Sequence, residues 1–146
     1  MRDDLGAFPL LARLRGGERE TLARALEALE VEAGTLLFDE GDPAVGLVLV
    51  AEGRVRLASR RTGEQAELGP GTALGAFSLA AHGVREARAE TTSRSRLLLL
   101  RRDAYERLAA NAPQTACRLL EGVLADTARL LRGDLAASVD PAVNND

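Results

Sequence analysis

Two glycines and an arginine between Gly71 and Ala87 have the residue types and the spacing that could bind a small anion. Gly71 and Gly75 precede a short apolar stretch, and Arg85 follows ten residues after Gly75. Glycine-rich turns leave backbone N–H groups free to face an anion, and an arginine can bind the same anion through two parallel hydrogen bonds. The segment therefore predicts a phosphate-binding loop. From this pattern alone, the candidate ligand residues are the glycines and Arg85.

Each of these residues also has a plainer structural explanation. The glycines are needed for turn geometry with or without a ligand, so they predict the fold better than they predict binding. Arg85 has the alternative of lying on the surface and pairing with Glu86 or Glu90. Phe77 and Leu74 are predicted to be cavity-wall or core residues, because no aromatic cluster supports stacking on a base.

The other chemistry-bearing residues are too few for an enzyme site. His82 is the sole histidine and is predicted to be a solvated loop residue, and Cys117 is the sole cysteine. Ser78 and the other serines have no possible base except His82, and neither a histidine-rich metal site nor an internal disulfide can be built. We therefore expect no enzymatic activity, no catalytic or metal-binding residue and no required cofactor. Cys117 is predicted to be a buried, unreactive thiol.

Length and composition are those of one globular domain. The chain has 146 residues, 46% of them hydrophobic, and a net charge of −3. This charge gives no overall basic field for nucleic acid or an anionic membrane. The amino terminus does not resemble a signal peptide, and no apolar run approaches the ~20 residues of a membrane span. We expect a soluble, cytoplasmic protein without membrane contact.

Arginines that stand close together are predicted to lie on solvated sheet faces, because each group has acidic neighbours in the sequence. The alternative is a nucleic-acid contact. These arginines are Arg60 with Arg61, Arg94 with Arg96, and Arg101 with Arg102.

Helical periodicity at residues 8–29 predicts an N-terminal cap, and a different pattern follows it. From Glu30 onward a glycine recurs every seven to twelve residues between short apolar segments, which is typical of a jelly roll. Hairpins are predicted at residues 52–53 and 61–64, and Val55 alternates with arginines on the opposite face. The run Leu97-Leu98-Leu99-Leu100 is predicted to be barrel core.

Two helices are predicted after the barrel. Asp103 is expected to cap a helix over residues 104–110, and Pro113 to begin the last helix. Its apolar stripe is wide enough to pack on the barrel and on a partner; it consists of Ala116, Leu119, Leu120, Val123, Leu124, Thr127, Leu130 and Leu131. The domain is predicted to span residues 5–133, followed by a flexible tail at 134–146.

The order of these features resembles the cyclic nucleotide-binding domain family, which includes the sensor modules of catabolite-activator-type regulators, cyclic nucleotide-dependent kinases and gated channels. The resemblance covers residues 8–132. It depends most on Glu40-Gly41-Asp42, on the strand that leads to Gly53-Arg54-Val55, and on the segment from Gly71 to Arg85. It implies a β-roll with an N-terminal helical cap and a long C-terminal helix.

The resemblance also implies roles for the loop residues. In the family, a Phe-Gly-Glu motif is followed after nine or ten residues by an arginine; the glutamate holds the ribose 2′-hydroxyl and the arginine holds the cyclic phosphate. Gly75 corresponds to the glycine, Ala76 to the glutamate and Arg85 to the arginine. The resemblance therefore implies the following candidate ligand residues: Gly75, Ala76, Phe77, Ser78, Arg85 and Glu86. Glu86 stands where a small residue is usual, and it is expected either to repel a phosphate or to pair with Arg85 or Arg88.

We therefore expect a regulatory domain that binds cyclic AMP or cyclic GMP weakly or not at all and signals through its terminal helix. Leu119, Leu120, Val123 and Leu124 are expected to carry that coupling. Two alternatives remain open: a ligand-free module that forms a homodimer through the terminal helix, and a sensor of another phosphate-bearing ligand. Direct DNA binding is not expected, because fewer than fifteen residues follow Arg132.

Overall fold

The computed structural model describes residues 5–81 and 83–138. Within this range, three short 3₁₀ helices lie at Leu5–Ala7, Pro9–Leu11 and Ala76–Leu79. The strands are β1 (Glu27–Val31), β2 (Leu36–Phe38), β3 (Gly46–Glu52), β4 (Val55–Ala58), β5 (Gln65–Leu68), β6 (Ala73–Leu74), β7 (Arg88–Thr91) and β8 (Ser95–Arg101). The α-helices are α1 (Glu18–Ala25), α2 (Arg102–Asn111) and α3 (Pro113–Ser138).

The strands form two antiparallel sheets of four strands each. One sheet has the order β1-β8-β3-β6, and the other has the order β2-β7-β4-β5. All spatial neighbours except β4 and β5 are distant in the sequence, which is the arrangement of a β-roll. The predicted fold class, a mainly β roll with an N-terminal helical cap and a long C-terminal helix, is confirmed.

Strands β3 and β8 lie side by side and bury both of their faces. Leu97 packs with Val50 in the cluster between the two sheets. Leu98 and Leu100 point the other way and pack with helical residues such as Leu119. A strand covered on both faces needs a continuous apolar run, which explains the four successive leucines of β8 and confirms that they are core residues.

The N-terminal cap is shorter than predicted. Residues 8–29 were expected to be helical, but they form a 3₁₀ turn at Pro9–Leu11, then α1, and β1 already begins at Glu27. The backbone is extended at Leu26, with φ −86° and ψ 145°, and β1 pairs with β8 along its whole length. Sheet pairing therefore overrides the helical spacing of Leu26 and Leu29.

The turn after β3 exists, but the hairpin predicted there is wrong. β3 pairs with β6 and β8, whereas β4 pairs with β5 and β7, so the chain crosses from one sheet to the other at Gly53. Gly53 has φ 95°, and a Cβ there would overlap with atoms of Arg94 and Ser95. Hydrophobic alternation identifies strands but not their partners, which explains the error.

The hairpin predicted at residues 61–64 is confirmed, because it joins β4 to β5 in one sheet. The alternation along β4 is also confirmed. Val55 is buried and Leu57 is half-buried, whereas Arg54 and Arg56 are exposed. The apolar side chains of β4 therefore face the core between the sheets.

Helix α2 begins at Arg102, two residues before the start that the sequence predicts. Asp103 is therefore not the N-cap. Its Oδ1 instead accepts a hydrogen bond of 2.8 Å from the backbone N–H of Ala104, inside the first turn. A carboxylate in this position still interacts favourably with the positive end of the helix dipole.

Helix α3 begins at Pro113, as predicted, and continues to Ser138, past the predicted end at Gly133. Residues 139–146 of the predicted tail lie outside the described residues, as does His82. None of the helices in the described ranges combines the length and the apolar character needed to cross a membrane.

One side of α3 packs on the core. Ala116, Leu119 and Val123 are buried, with 3%, 0% and 4% of their surface exposed. Gly122 lies so close to the 3₁₀ turn before α1 that a Cβ there would overlap with the carbonyl oxygen of Leu10. This close approach fixes α3 against that N-terminal turn.

Cys117 is exposed, so the prediction of a buried thiol is wrong. One residue along an α-helix corresponds to a rotation of about 100°. Ala116 faces the core, and the next residue consequently turns toward solvent. The apolar composition around Cys117 did not identify which side of the helix it occupies.

Candidate functional site

The glycine-rich segment forms a tight turn between β6 and a 3₁₀ helix. Gly75 adopts φ 75°, in the left-handed region, and a Cβ there would lie 3.1 Å from the carbonyl oxygen of Gly46 and overlap with Nη1 of Arg85. Ser78 closes the turn, because its backbone N–H and its Oγ donate to the carbonyl of Gly75 at 3.0 and 2.6 Å. A glycine at position 75 is thus required both by the turn and by the arginine beside it.

The backbone of Arg85 is held by the loop between β2 and β3. Its N–H donates to the carbonyl of Asp42 at 2.7 Å, and its carbonyl accepts from Gly41 at 2.9 Å. Pro43 and Val84 form an adjacent antiparallel bridge. The Glu40-Gly41-Asp42 motif, which is distant in sequence, therefore positions the arginine.

The guanidinium of Arg85 is buried beside Gly75. Only 8% of the residue is exposed. Nη2 donates to the carbonyl of Gly46 at 3.0 Å, and Cζ lies 4.2 Å from the centre of the Phe38 ring, which is a cation–π distance. Nε is buried and has no hydrogen-bond partner among the described residues. A buried cationic donor without a partner is costly.

Burial and the neighbouring charges do not all shift the pKa of Arg85 in the same direction. Burial lowers the pKa of Arg85, the nearby cation Arg102 lowers it further, and Asp42 acts in the opposite direction. Arginine remains protonated at neutral pH because its ordinary pKa lies far above neutrality. The site therefore contains a positive charge that the protein only partly compensates.

A cavity of about 480 Å³ opens next to Arg85. Its wall includes Ala76 and the side chain of Phe77, which is 60% exposed. Helix α3 contributes Asp126, Thr127 and Leu130 to the same cavity. The volume is within the usual range of ~300–1,000 Å³ for small-molecule sites.

Glu86 lies at the rim of the cavity, and of the two alternatives expected for it, pairing with Arg85 or Arg88 is not found among the described residues. Its carboxylate is 3.9 Å from the guanidinium of Arg61, and its side chain is 83% exposed. An exposed carboxylate is screened by water, so it repels a bound anion less than a buried one would.

The predicted ligand residues all line this one cavity: Gly75, Ala76, Phe77, Ser78, Arg85 and Glu86. Their role in binding stays a prediction. Sequence analysis did not place Phe38, Asp126 or Thr127 at the site. The apolar stripe of α3 predicted that this helix packs on the barrel. Such a stripe does not show which residues of the helix line a cavity.

Comparison with known proteins gives the family. Residues 28–112 match the model of the cyclic nucleotide-binding domain. A cyclic nucleotide-gated potassium channel of Mesorhizobium japonicum is 30% identical over 112 residues, which is 77% of this chain and 31% of the channel. This chain spans between 23% and 42% of the length of the curated relatives that it matches.

Solved structures agree with this match. The N-terminal domain of a transcriptional regulator from Streptomyces coelicolor A3(2) superposes with a TM-score of 0.74 and 31% identity, over 90% of this chain and 95% of that one. The catabolite activator protein of Thermus thermophilus gives a TM-score of 0.72 and 32% identity, over 90% and 62%. With the roll, the glycine turn and the buried arginine in place, the chain belongs to the cyclic nucleotide-binding domain family.

Proposed function

We propose that this chain is a regulatory domain that binds a cyclic nucleotide weakly through Arg85 and signals through α3. The observation that carries the proposal is the buried guanidinium, with an unpartnered Nε beside a cavity. In the family, the arginine at this position binds the cyclic phosphate. The similar channel and transcriptional regulator support a regulatory role.

The proposed affinity is low because the site lacks one charged hydrogen bond. Ala76 occupies the position where the family has a glutamate that binds the ribose 2′-hydroxyl, and its methyl group cannot accept a hydrogen bond. Losing such a bond corresponds to roughly 1.5 to 3 kcal/mol, or about ten- to a hundredfold in affinity.

The proposed output is a shift of α3. Asp126 and Thr127 line the cavity, while Leu119 and Val123, in the preceding turns of the same helix, are buried in the core. A ligand that touches α3 can move it only if the ligand binds one arrangement of the helix better than the other. Leu120 is half-buried and packs against the same core cluster.

Calorimetric titration with cyclic AMP and cyclic GMP tests the binding proposal. We expect weak binding to the parent chain, a ten- to hundredfold gain for Ala76→Glu, and loss of binding for Arg85→Gln in the Ala76→Glu background. The proposal fails if the parent protein binds submicromolarly, or if it gives no heat at millimolar nucleotide.

A second candidate function is dimerisation through α3. Leu124 and Leu131 are one heptad apart, and they are 68% and 58% exposed. This spacing places them on one stripe, which a second copy of the helix would cover. Light scattering of the parent and of Leu124→Glu tests it. Dimerisation through α3 is supported if the parent has the mass of a dimer and Leu124→Glu has the mass of a monomer. It is excluded if the parent is a monomer.

A further inference from the structure

Arg102, the first residue of α2, donates hydrogen bonds to the segment 76–81, which carries several of the predicted ligand residues. Nε donates to the carbonyl of Ser78 at 2.8 Å, and Nη2 donates to the carbonyls of Ala44 and Ala81 at 2.7 and 3.3 Å. The backbone N–H of Arg102 donates to the carbonyl of Val45 at 2.9 Å. One residue thus joins the segment that carries Ser78, the loop before β3 and the start of α2.

These contacts distinguish Arg102 from the other clustered arginines. Arg94 pairs with Glu30 and Glu32, and Arg101 lies 3.2 Å from Glu27, all at exposed positions. Arg102 is half-buried, and the acceptors given above are backbone carbonyls. The prediction of a solvated sheet face holds for Arg101, the exposed last residue of β8. Arg94 is exposed but lies in the turn between β7 and β8, and the prediction is wrong for the half-buried Arg102.

The geometry suits a planar, forked cation. Backbone carbonyls that approach from different segments need donors that point in fixed and different directions, which a guanidinium provides and an ammonium does not. Arg102 is not among the residues that line the cavity. Its charge nevertheless lies near enough to Arg85 to oppose the protonation of that residue. It therefore acts on the site from outside.

We propose that Arg102 is a positioning residue that holds the segment 76–81 in its ligand-ready shape and ties that segment to α2. The tie extends to α3, because Tyr105 and Leu108 of α2 are buried in the same cluster as Leu119 and Val123. A role of Arg102 in signalling rests on the proposed function. The hydrogen bonds by which Arg102 joins the segment 76–81 to α2 are present without any ligand.

Hydrogen exchange on the full chain without ligand tests the tie. The amides of Ser78, Ala80 and Ala81 all donate within the loop. In Arg102→Gln we expect their exchange to accelerate about ten- to a hundredfold, which is the change expected from the loss of a charged hydrogen bond. Exchange in β8 should stay unchanged. Arg101→Gln, which removes the neighbouring exposed arginine, is the matched control and should match the parent.

Arg102→Lys gives a second measurement if Arg102→Gln folds poorly. A lysine keeps the charge but lacks the fork, so we expect loop exchange between the parent and Arg102→Gln. The proposal is overturned if loop exchange in the lysine variant equals that of the parent. It is equally overturned if β8 accelerates as much as the loop, because Arg102 would then only support global stability.

Titration with cyclic AMP separates this proposal from the proposed function. If the parent binds, we expect Arg102→Gln to weaken binding at least tenfold and Arg101→Gln to leave it unchanged; equal affinity in all three proteins overturns the positioning role. If the parent does not bind, the proposed function fails, and the exchange experiment alone decides whether Arg102 holds the loop.

Discussion

At the scale of single residues, the site is defined by the pair of Ala76 and Arg85. The arginine keeps the features that a phosphate needs: a buried guanidinium, a partly satisfied hydrogen-bonding pattern and a fixed backbone. Ala76 lacks the carboxylate that binds the ribose 2′-hydroxyl in the family. Under the proposed function, phosphate and ribose binding therefore depend on different residues, and each can be tested by itself.

The first prediction concerns the ribose. Because Ala76 offers no acceptor to a 2′-hydroxyl, we expect 2′-deoxy cyclic AMP to bind within about threefold of cyclic AMP. In Ala76→Glu the restored charged hydrogen bond should favour cyclic AMP by at least tenfold. Competition binding with the two nucleotides measures both ratios. Strong discrimination by the parent would mean that another residue reads the hydroxyl.

The second prediction concerns the cost of keeping Arg85 buried. Replacing a buried, incompletely paired charge by an apolar residue of similar volume is often neutral for stability. We expect Arg85→Met to change the free energy of unfolding by less than about 1 kcal/mol, while it removes anion binding. Urea denaturation checks the first part. Leu119→Ala, which leaves a cavity in the core, is the control and should cost about 2 to 5 kcal/mol.

At the scale of elements, the docking of α3 depends on Gly122. The third prediction is that Gly122→Ala destabilises the chain by more than about 1 kcal/mol, because the added Cβ would overlap with the backbone carbonyl of Leu10. Gly133→Ala is a matched control on the same helix, since no described atom lies within 4 Å of its Cβ position. That variant should stabilise the helix by up to ~1 kcal/mol, as alanine does at exposed helical positions. Thermal unfolding of both variants measures the difference, and equal effects would exclude the close contact.

The elements also show what the sequence could predict. Glycine punctuation, the four leucines of β8 and the start of α3 at Pro113 follow from local physics, and they were predicted correctly. The crossing at Gly53 and the early start of β1 depend on which distant strands pair. The role of Arg102 depends on carbonyls up to 58 residues away in sequence, for which no local pattern exists.

At the scale of the whole molecule, ligand binding and folding share one equilibrium. A nucleotide that binds only the folded chain adds RT ln(1 + [L]/Kd) to its stability, which is about 1.4 kcal/mol at ten times Kd. For a domain of this size that corresponds to a rise in melting temperature of roughly 5 °C. The fourth prediction is that cyclic AMP raises the melting temperature only at concentrations well above those that saturate Ala76→Glu.

The control for this prediction is Arg85→Met, which should melt near the parent temperature without ligand and show no shift with it. This pair of proteins distinguishes a weak sensor from a scaffold, because both keep the roll and differ in the buried cation. A shift of equal size in the two proteins would place the nucleotide outside the cavity. A parent that never shifts, in contrast to a responsive Ala76→Glu, would assign the chain to the ligand-free alternative, in which the exposed Leu124 and Leu131 of α3 carry the function.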